Sequence, residues 1–122
     1  MGNNIVWASI PVTDLQRAIK FYAHVTGLRI EVMEGTGDSV AVAYGKEDGY
    51  GVSFDLHTGR KPSQDGVTPY LAGNGEIQAM AARVTEAGGT ILQEPQFMGD
   101  MMGWIGFFVD SEGNRIGIEQ MG

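Results

Sequence analysis

The amino-acid sequence predicts an α+β domain built from two consecutive βαβββ modules. Three observations support this prediction: two segments with helical periodicity, several short apolar segments separated by turn residues, and a polar segment at the midpoint of the chain. The length of 122 residues predicts a single domain or two small fused modules. Its 19 glycines are distributed along the sequence, as is typical of many tight turns between short strands.

The first module is predicted over approximately residues 4–57. A strand over 5–12 precedes a helix that begins after Asp14, because an aspartate side chain can accept hydrogen bonds from the amides of the first helical turn. Gly27 is predicted to end this helix in the left-handed conformation. The apolar side of the helix is defined by the spacing of Leu15, Ala18, Ile19, Tyr22 and Val25. Three further strands are predicted at 28–33, 39–44 and 51–57.

A polar segment that contains glycine and proline, approximately residues 58–66, is predicted to link the two modules. The second module, approximately residues 67–120, repeats the order of the first. It has a strand over 67–71 and a helix that begins near Glu76 and ends before Gly88. Three strands are predicted to follow, at 90–93, 103–109 and 115–120.

Comparison of the two halves supports a duplication. Residues of similar type recur at an offset of 62 through the helices and of 64 through the last strands. The corresponding pairs include Leu15 and Ile77, Gly27 and Gly89, Asp55 and Glu119 and, with one inserted residue, Ser9 and Tyr70. If the halves pair about a pseudo-two-fold axis, polar groups at equivalent positions converge on one cleft between the modules.

Composition excludes several classes of function. The formal charge of −7 makes nucleic acid and anionic membranes unfavourable partners, and it favours neutral or cationic small molecules over anions. The absence of cysteine excludes disulfides and thiolate nucleophiles and fits a reducing compartment. The sequence shows no signal-peptide pattern and no apolar run long enough to span a membrane, so we expect a cytoplasmic location.

Two segments resemble the vicinal oxygen chelate superfamily, which includes glyoxalase I, extradiol dioxygenases and bleomycin-resistance proteins. They are Ile10–Tyr22, followed by Thr26-Gly27-Leu28, and Phe108–Ile116, in which Asp110 and Gly113 form the turn into the final strand. The resemblance implies a U-shaped mixed sheet, a homodimer and, in many members, a divalent metal such as Zn, Fe, Mn or Ni in the cleft.

The resemblance also indicates that the usual metal ligands are missing. In the superfamily, the first metal ligand lies seven residues before the aspartate that starts the helix, and this chain has Trp7 there. The last metal ligand lies four residues after the turn glycine, and this chain has Gly117 there. Neither side chain can donate a lone pair to a metal. The residues themselves offer a weaker alternative, because Asp55, His57 and Glu119 are candidates for an oxygen and nitrogen site.

Three functions stay open from the sequence. The first is a metal-free binding protein whose ligand is oriented by polar and aromatic side chains of the cleft; the candidates are Trp7, Ser9, Phe54, Tyr70 and Trp104. The second is a metal-dependent glyoxalase- or dioxygenase-like enzyme with Glu119 as a catalytic residue. The third is a catalytically inactive dimeric subunit. The loss of two ligand positions favours the first.

Overall fold

A computed structural model describes residues 5–45 and 50–122. Within these residues two helices and eight strands follow the order βαβββ twice, as predicted. The elements of the first half are β1 (Ala8–Pro11), α1 (Leu15–Thr26), β2 (Arg29–Val32), β3 (Val40–Tyr44) and β4 (Tyr50–Asp55). The elements of the second half are β5 (Tyr70–Ala72), α2 (Ile77–Glu86), β6 (Thr90–Phe97), β7 (Trp104–Val109) and β8 (Arg115–Gln120).

The strands form two four-stranded mixed sheets, with the orders β1-β4-β3-β2 and β5-β8-β7-β6. In each sheet the first and last strands of a module run parallel, and the other neighbours run antiparallel. Ser9 pairs with Ser53 in the first sheet, and Tyr70 pairs with Gly117 in the second. Because Ser53 and Gly117 are 64 residues apart, this register confirms the predicted correspondence of Ser9 with Tyr70.

The ends of α1 follow the sequence prediction. The Asp14 side chain accepts a hydrogen bond from the Arg17 amide at 3.0 Å. Gly27 has a φ of 71°, and its amide donates to the Ala23 carbonyl at 2.9 Å. The beginning of α2 is stabilised differently, because its first amide, that of Ile77, donates to the side-chain oxygen of Gln120 on β8 at 2.9 Å.

The hydrophobic core lies between the helices and one face of each sheet. The Tyr22 ring of α1 lies 4.6 Å from the Phe54 ring of the first sheet, measured between centroids. The Phe21 ring lies 5.9 Å from the Phe108 ring of the second sheet. Helix α1 therefore contributes to the packing of both modules. No helix in the described part of the chain is long and apolar enough to cross a membrane.

Several predicted strand limits are wrong. Strand β5 begins at Tyr70 and not at residue 67, because Val67 is 96% exposed and Pro69 has no amide hydrogen to donate. Strand β4 ends at Asp55, since His57 adopts a left-handed φ of 61°. Strand β6 continues to Phe97, four residues further than predicted, because it stays paired with β7 as far as Trp104, with two irregularities of register on the way.

The turn between β7 and β8 joins the two modules. The Glu112 carboxylate accepts hydrogen bonds from the Thr13 and Asp14 amides at 3.0 and 2.9 Å and from Arg17 Nε at 2.7 Å. Burial alone would raise the pKa of Glu112, but the hydrogen bonds from Arg17, the backbone of Thr13 and Ser111 lower it from 4.5 to about 2. This carboxylate fixes the start of α1 against the second module.

Asp110 organises the same turn from inside. Its carboxylate accepts hydrogen bonds from the Tyr22 hydroxyl and from the amides of Glu112, Gly113 and Asn114. Burial, and then the negative charge of Asp110, raise the pKa of Tyr22 well above its usual value. Asn114 also donates from its side chain to the Pro11 carbonyl at 2.8 Å. The beginning of β8 is thereby held beside the end of β1.

Candidate functional site

A cleft of about 570 Å³ lies where β1 approaches the beginning of β8. The segment 60–69, which connects the modules, forms its third side. The cleft is lined by Ile5, Trp7, Ala8, Ser9, Ile10, Pro11, Arg60, Lys61, Ser63, Asp65, Val67, Pro69, Asn114, Arg115 and Ile116. It therefore lies between the two modules, where the sequence predicts a site.

The connecting segment is docked against β8. The Ser63 amide donates to Asn114 Oδ1 at 3.2 Å, and the Arg115 amide donates to the Ser63 carbonyl at 3.3 Å. Further along, the Gly117 amide donates to the Pro69 carbonyl at 2.9 Å. Because of these hydrogen bonds, the segment that was predicted as a linker forms one wall of the cleft.

A chain of hydrogen bonds runs from the first sheet to the cleft. Ser9 Oγ donates to Asp55 Oδ2 at 2.7 Å and accepts from an Nη of Arg60 at 2.8 Å. The other carboxylate oxygen of Asp55 is buried and has no hydrogen-bond partner among the described residues. The network orients the Arg60 guanidinium beside the cleft, and it leaves further N–H groups of that side chain available, because arginine carries five.

The lining of the cleft carries a net positive charge. It includes the basic side chains of Arg60, Lys61 and Arg115, against one acidic side chain, Asp65. The Arg115 guanidinium lies 4.1 Å from the centroid of the Phe107 ring and donates to Thr68 Oγ1 at 2.9 Å. The expectation of a neutral or cationic ligand, which came from the charge of the whole chain, is not supported by the charges of the cleft.

Apolar side chains occupy the rest of the lining. Trp7 is 50% exposed and lines the cleft, together with Ile5, Val67 and Pro69. An exposed indole offers a large contact area with little loss of side-chain entropy on binding. The cleft is thus suited to a molecule with one apolar part and one polar part.

The five predicted ligand-binding residues do not lie together. Trp7 and Ser9 line the cleft. Tyr70 lies instead at a separate depression of about 270 Å³, which is also lined by residues of β3, β4 and β5. Phe54 and Trp104 do not line this cleft. Phe54 is 1% exposed in the core, and Trp104 is on the same side of β7 as Phe108 and packs against that core.

The predicted metal candidates are not brought together either. No group of three or more His, Asp or Glu side chains that could hold a metal ion occurs among residues 5–45 and 50–122. His57 is exposed beyond the end of β4, so it no longer shares a face with Asp55. Glu119 pairs with Ala72 on β5 and does not line the cleft.

Comparison with known proteins gives the family. Residues 4–118 match the family model of the Glyoxalase/Bleomycin resistance protein/Dioxygenase superfamily. The chain belongs to this superfamily. The predicted resemblance is therefore confirmed, and the α+β architecture of two βαβββ modules is the one found in its solved structures.

Solved structures of the superfamily share this fold. A superfamily member from Sphaerobacter thermophilus DSM 20745 has a TM-score of 0.73 at 22% identity, and the match covers 97% of each chain. A glyoxalase/bleomycin resistance protein from Albidiferax ferrireducens T118 has the same score and identity, over 93% of this chain and 95% of its own. TnmS3, an antibiotic binding protein from Streptomyces sp. CB03234, has a TM-score of 0.68 at 22% identity, over 98% and 97%. No curated protein matches the chain.

The residues at the superfamily metal positions do not fit a metal. Trp7 occupies the first position, and at the last position the Tyr70 ring covers Gly117. A Cβ atom at position 117 would lie 2.6 Å from Tyr70 Cδ2, so any larger side chain would collide with the ring. The Tyr70 ring is held in turn by an edge contact with Phe107, with 5.6 Å between centroids. An aromatic contact therefore fills the space beside Gly117, where the resemblance implies a metal ligand.

Sequence reasoning missed the basic residues of the cleft. Arg60 and Lys61 fall in the segment interpreted as a linker, and Arg115 falls at the start of a strand. One signal was available, because Arg60-Lys61-Pro62 places adjacent basic residues in an otherwise acidic chain. Their convergence with Arg115 depends on the docking of the segment on β8, which no local pattern indicates.

Proposed function

We propose that this protein binds a small organic molecule in the cleft between its modules, by its own side chains and without the divalent metal that many superfamily members use. The proposal rests on one observation above all. The Tyr70 ring covers Gly117 where a metal ligand would be needed, while a cleft of about 570 Å³ lies between β1 and β8. Clefts of roughly 300–1,000 Å³ with an apolar lining and a few fixed polar groups are typical of small-molecule sites.

The likeness to TnmS3 supports the same function. That protein is described as antibiotic binding, and it matches nearly the whole of this chain at 22% identity. At this identity the likeness concerns the fold, so the binding role is carried here by Trp7 and the oriented Ser9–Arg60 pair. A catalytic role for Glu119 finds no support, because that residue lies outside the lining of the cleft.

The test uses the fluorescence of Trp7. The substitution Trp104→Phe leaves Trp7 as the sole tryptophan of the chain. Aromatic small molecules titrated into this variant should change its emission equally well with and without EDTA. Introducing Ser9→Phe, which fills the cleft, should abolish the response, whereas Leu92→Phe on the exposed side of β6 serves as a control and should leave it intact.

A metal measurement distinguishes the enzyme hypothesis. Protein purified without chelator should contain no stoichiometric Zn, Fe, Mn or Ni by elemental analysis. Near-stoichiometric metal that is lost in both Asp55→Ala and Glu119→Ala would contradict the proposal and favour the metal-dependent enzyme.

Homodimer formation and a cytoplasmic location belong to the same proposal. The first is what the superfamily resemblance implies, and the second fits a reducing compartment, since the sequence has no cysteine. Sedimentation equilibrium measures the first, and a mass of one chain at high concentration would contradict it.

A further inference from the structure

We infer that the ligand of the cleft is an organic anion, with an apolar body and a carboxylate or a similar small anionic group. The inference rests on the proposed function and adds the sign of the ligand charge. The net charge of the chain would favour a cationic ligand. The distribution of the basic side chains supports an anionic ligand instead.

Most basic side chains outside the cleft are paired with acids. Arg17 pairs with Glu112, Arg29 with Glu31 and Arg83 with Glu76. Within the described residues the Lys and Arg side chains that make no ion pair are Lys20, Arg60, Lys61 and Arg115. Three of these four line the cleft. The cations without an acidic partner are therefore concentrated at one place.

The acidic residues elsewhere do not cancel this local charge. At physiological ionic strength the Debye length is about 8 Å, so charges on the far side of the protein are largely screened at the cleft. Asp55 is not part of the lining, but its carboxylate is separated from the Arg60 guanidinium by the Ser9 hydroxyl alone, so its charge acts on the cleft. Three cations against Asp65 and Asp55 still leave a positive site in a chain whose formal charge is −7.

The geometry of Arg60 fits recognition of a planar anion. Its guanidinium is held at one Nη by the Ser9 hydroxyl, which is itself fixed by Asp55. A guanidinium oriented in this way can donate two parallel hydrogen bonds to a carboxylate, which is the geometry arginine prefers. Lys61, the neighbouring residue, adds a second positive charge with a flexible side chain.

The apolar lining indicates that the part of the ligand outside its anionic group is apolar. Trp7, Val67 and Pro69 line the same cleft as the basic groups. An aromatic acid would place its ring against the indole and its carboxylate at Arg60. A purely inorganic anion would leave this apolar surface exposed to water.

The experiment compares three probes that share one ring system: 2-naphthoate, 2-naphthamide and 2-naphthylmethylamine. Binding is measured by Trp7 emission in the Trp104→Phe protein and by isothermal titration calorimetry in the unchanged protein. Because a charge-assisted hydrogen bond to the carboxylate is gained, naphthoate should bind about tenfold or more tightly than the amide, and the amine should bind most weakly.

Matched variants identify the cations responsible. Arg60→Gln and Lys61→Gln should each weaken naphthoate binding by about tenfold and leave naphthamide binding nearly unchanged. Lys20→Gln is the control, because it removes the same charge from an unpaired side chain on α1 that does not line the cleft. It should change neither affinity by more than a small factor.

The outcomes separate the two proposals. Equal affinity for the three probes, or tightest binding of the amine, would overturn the anionic ligand while leaving the binding function in place. Failure of all three probes to bind at millimolar concentration would overturn the binding function itself. A loss of naphthoate affinity in Lys20→Gln as large as in Arg60→Gln would show a general charge effect and would also overturn the assignment.

Discussion

Replacing Glu112 with glutamine should destabilise the protein at neutral pH, because this one carboxylate joins the second module to the start of α1. It accepts hydrogen bonds from two backbone amides and from the Arg17 guanidinium, and its side chain is 0% exposed. Glutamine has almost the same shape, but its amide group would place N–H donors against those of the backbone and of Arg17. The substitution therefore removes the charge without opening a cavity.

The lowered pKa gives the size of the effect. A shift from 4.5 to about 2 corresponds to roughly 3 kcal/mol between the charged and neutral forms of the carboxyl. Arg17 is 51% exposed, so solvent screening reduces this figure, and we expect a loss of about 1.5 to 2 kcal/mol in the free energy of unfolding. Urea denaturation at neutral pH, followed by circular dichroism, measures it.

The pH dependence provides the sharper test. The pKa of Glu112 is lower in the folded protein than in the unfolded chain, so its contribution is complete above about pH 4.5 and is lost as the pH falls towards about 2. The Glu112→Gln protein lacks this titration. The difference in unfolding free energy between the two proteins should therefore shrink over that range.

The substitution Glu31→Gln is a matched control for the loss of an ion-paired carboxylate at the surface. Glu31 forms an ion pair of 2.7 Å with Arg29, but both side chains are more than half exposed. Glu31→Gln should change the free energy of unfolding by no more than about 0.5 kcal/mol, as is usual for surface pairs. An equal effect of both substitutions, or a difference at Glu112 that stays constant down to pH 2, would refute the reasoning.

Three further substitutions test other contacts. Gly117→Ala should destabilise the protein by about 1–3 kcal/mol, because the added Cβ collides with the Tyr70 ring, and adding Tyr70→Ala should restore part of that loss in urea denaturation. Tyr22→Phe removes a hydrogen bond to the buried Asp110 carboxylate, and thermal unfolding should show a loss of about 1–3 kcal/mol. Gln120→Ala leaves the first amide of α2 without its acceptor; a loss of about 1 kcal/mol is expected, and faster hydrogen exchange at that amide would confirm its origin.

The sequence predicts those parts of the fold that depend on local chemistry. The limits of α1 follow from an aspartate that can accept hydrogen bonds and a glycine that tolerates a positive φ, and the structure places Asp14 and Gly27 as expected. The duplication follows from recurring residue types, and the paired registers agree with it. The start of β5 and the length of β6 were predicted incorrectly because they depend on pairing with distant strands.

The side chains of the site show a second limit. Phe54 and Asp55 are adjacent in β4, so they must point to opposite faces of the sheet, and both could not line one cleft. The helices cover the face that carries Phe54, which leaves Ser9 and Asp55 on the other. The same alternation directs Trp104 to the core. The alternation of side chains along β4 shows that Phe54 and Asp55 cannot both line the cleft. It cannot show which face of the sheet the helices cover.

The two modules carry different side chains at two positions that their duplication makes equivalent. Ser9 pairs with Ser53 in the first sheet, and the hydroxyl of Ser9 connects Asp55 to Arg60. At the same register in the second sheet, Tyr70 lies over Gly117. A metal held by ligands from both halves requires donor side chains at both places, and Gly117 has no side chain to supply one. The binding that we propose at this site would therefore use the indole of Trp7 together with the cations of the connecting segment, a combination that the second half of the chain does not repeat.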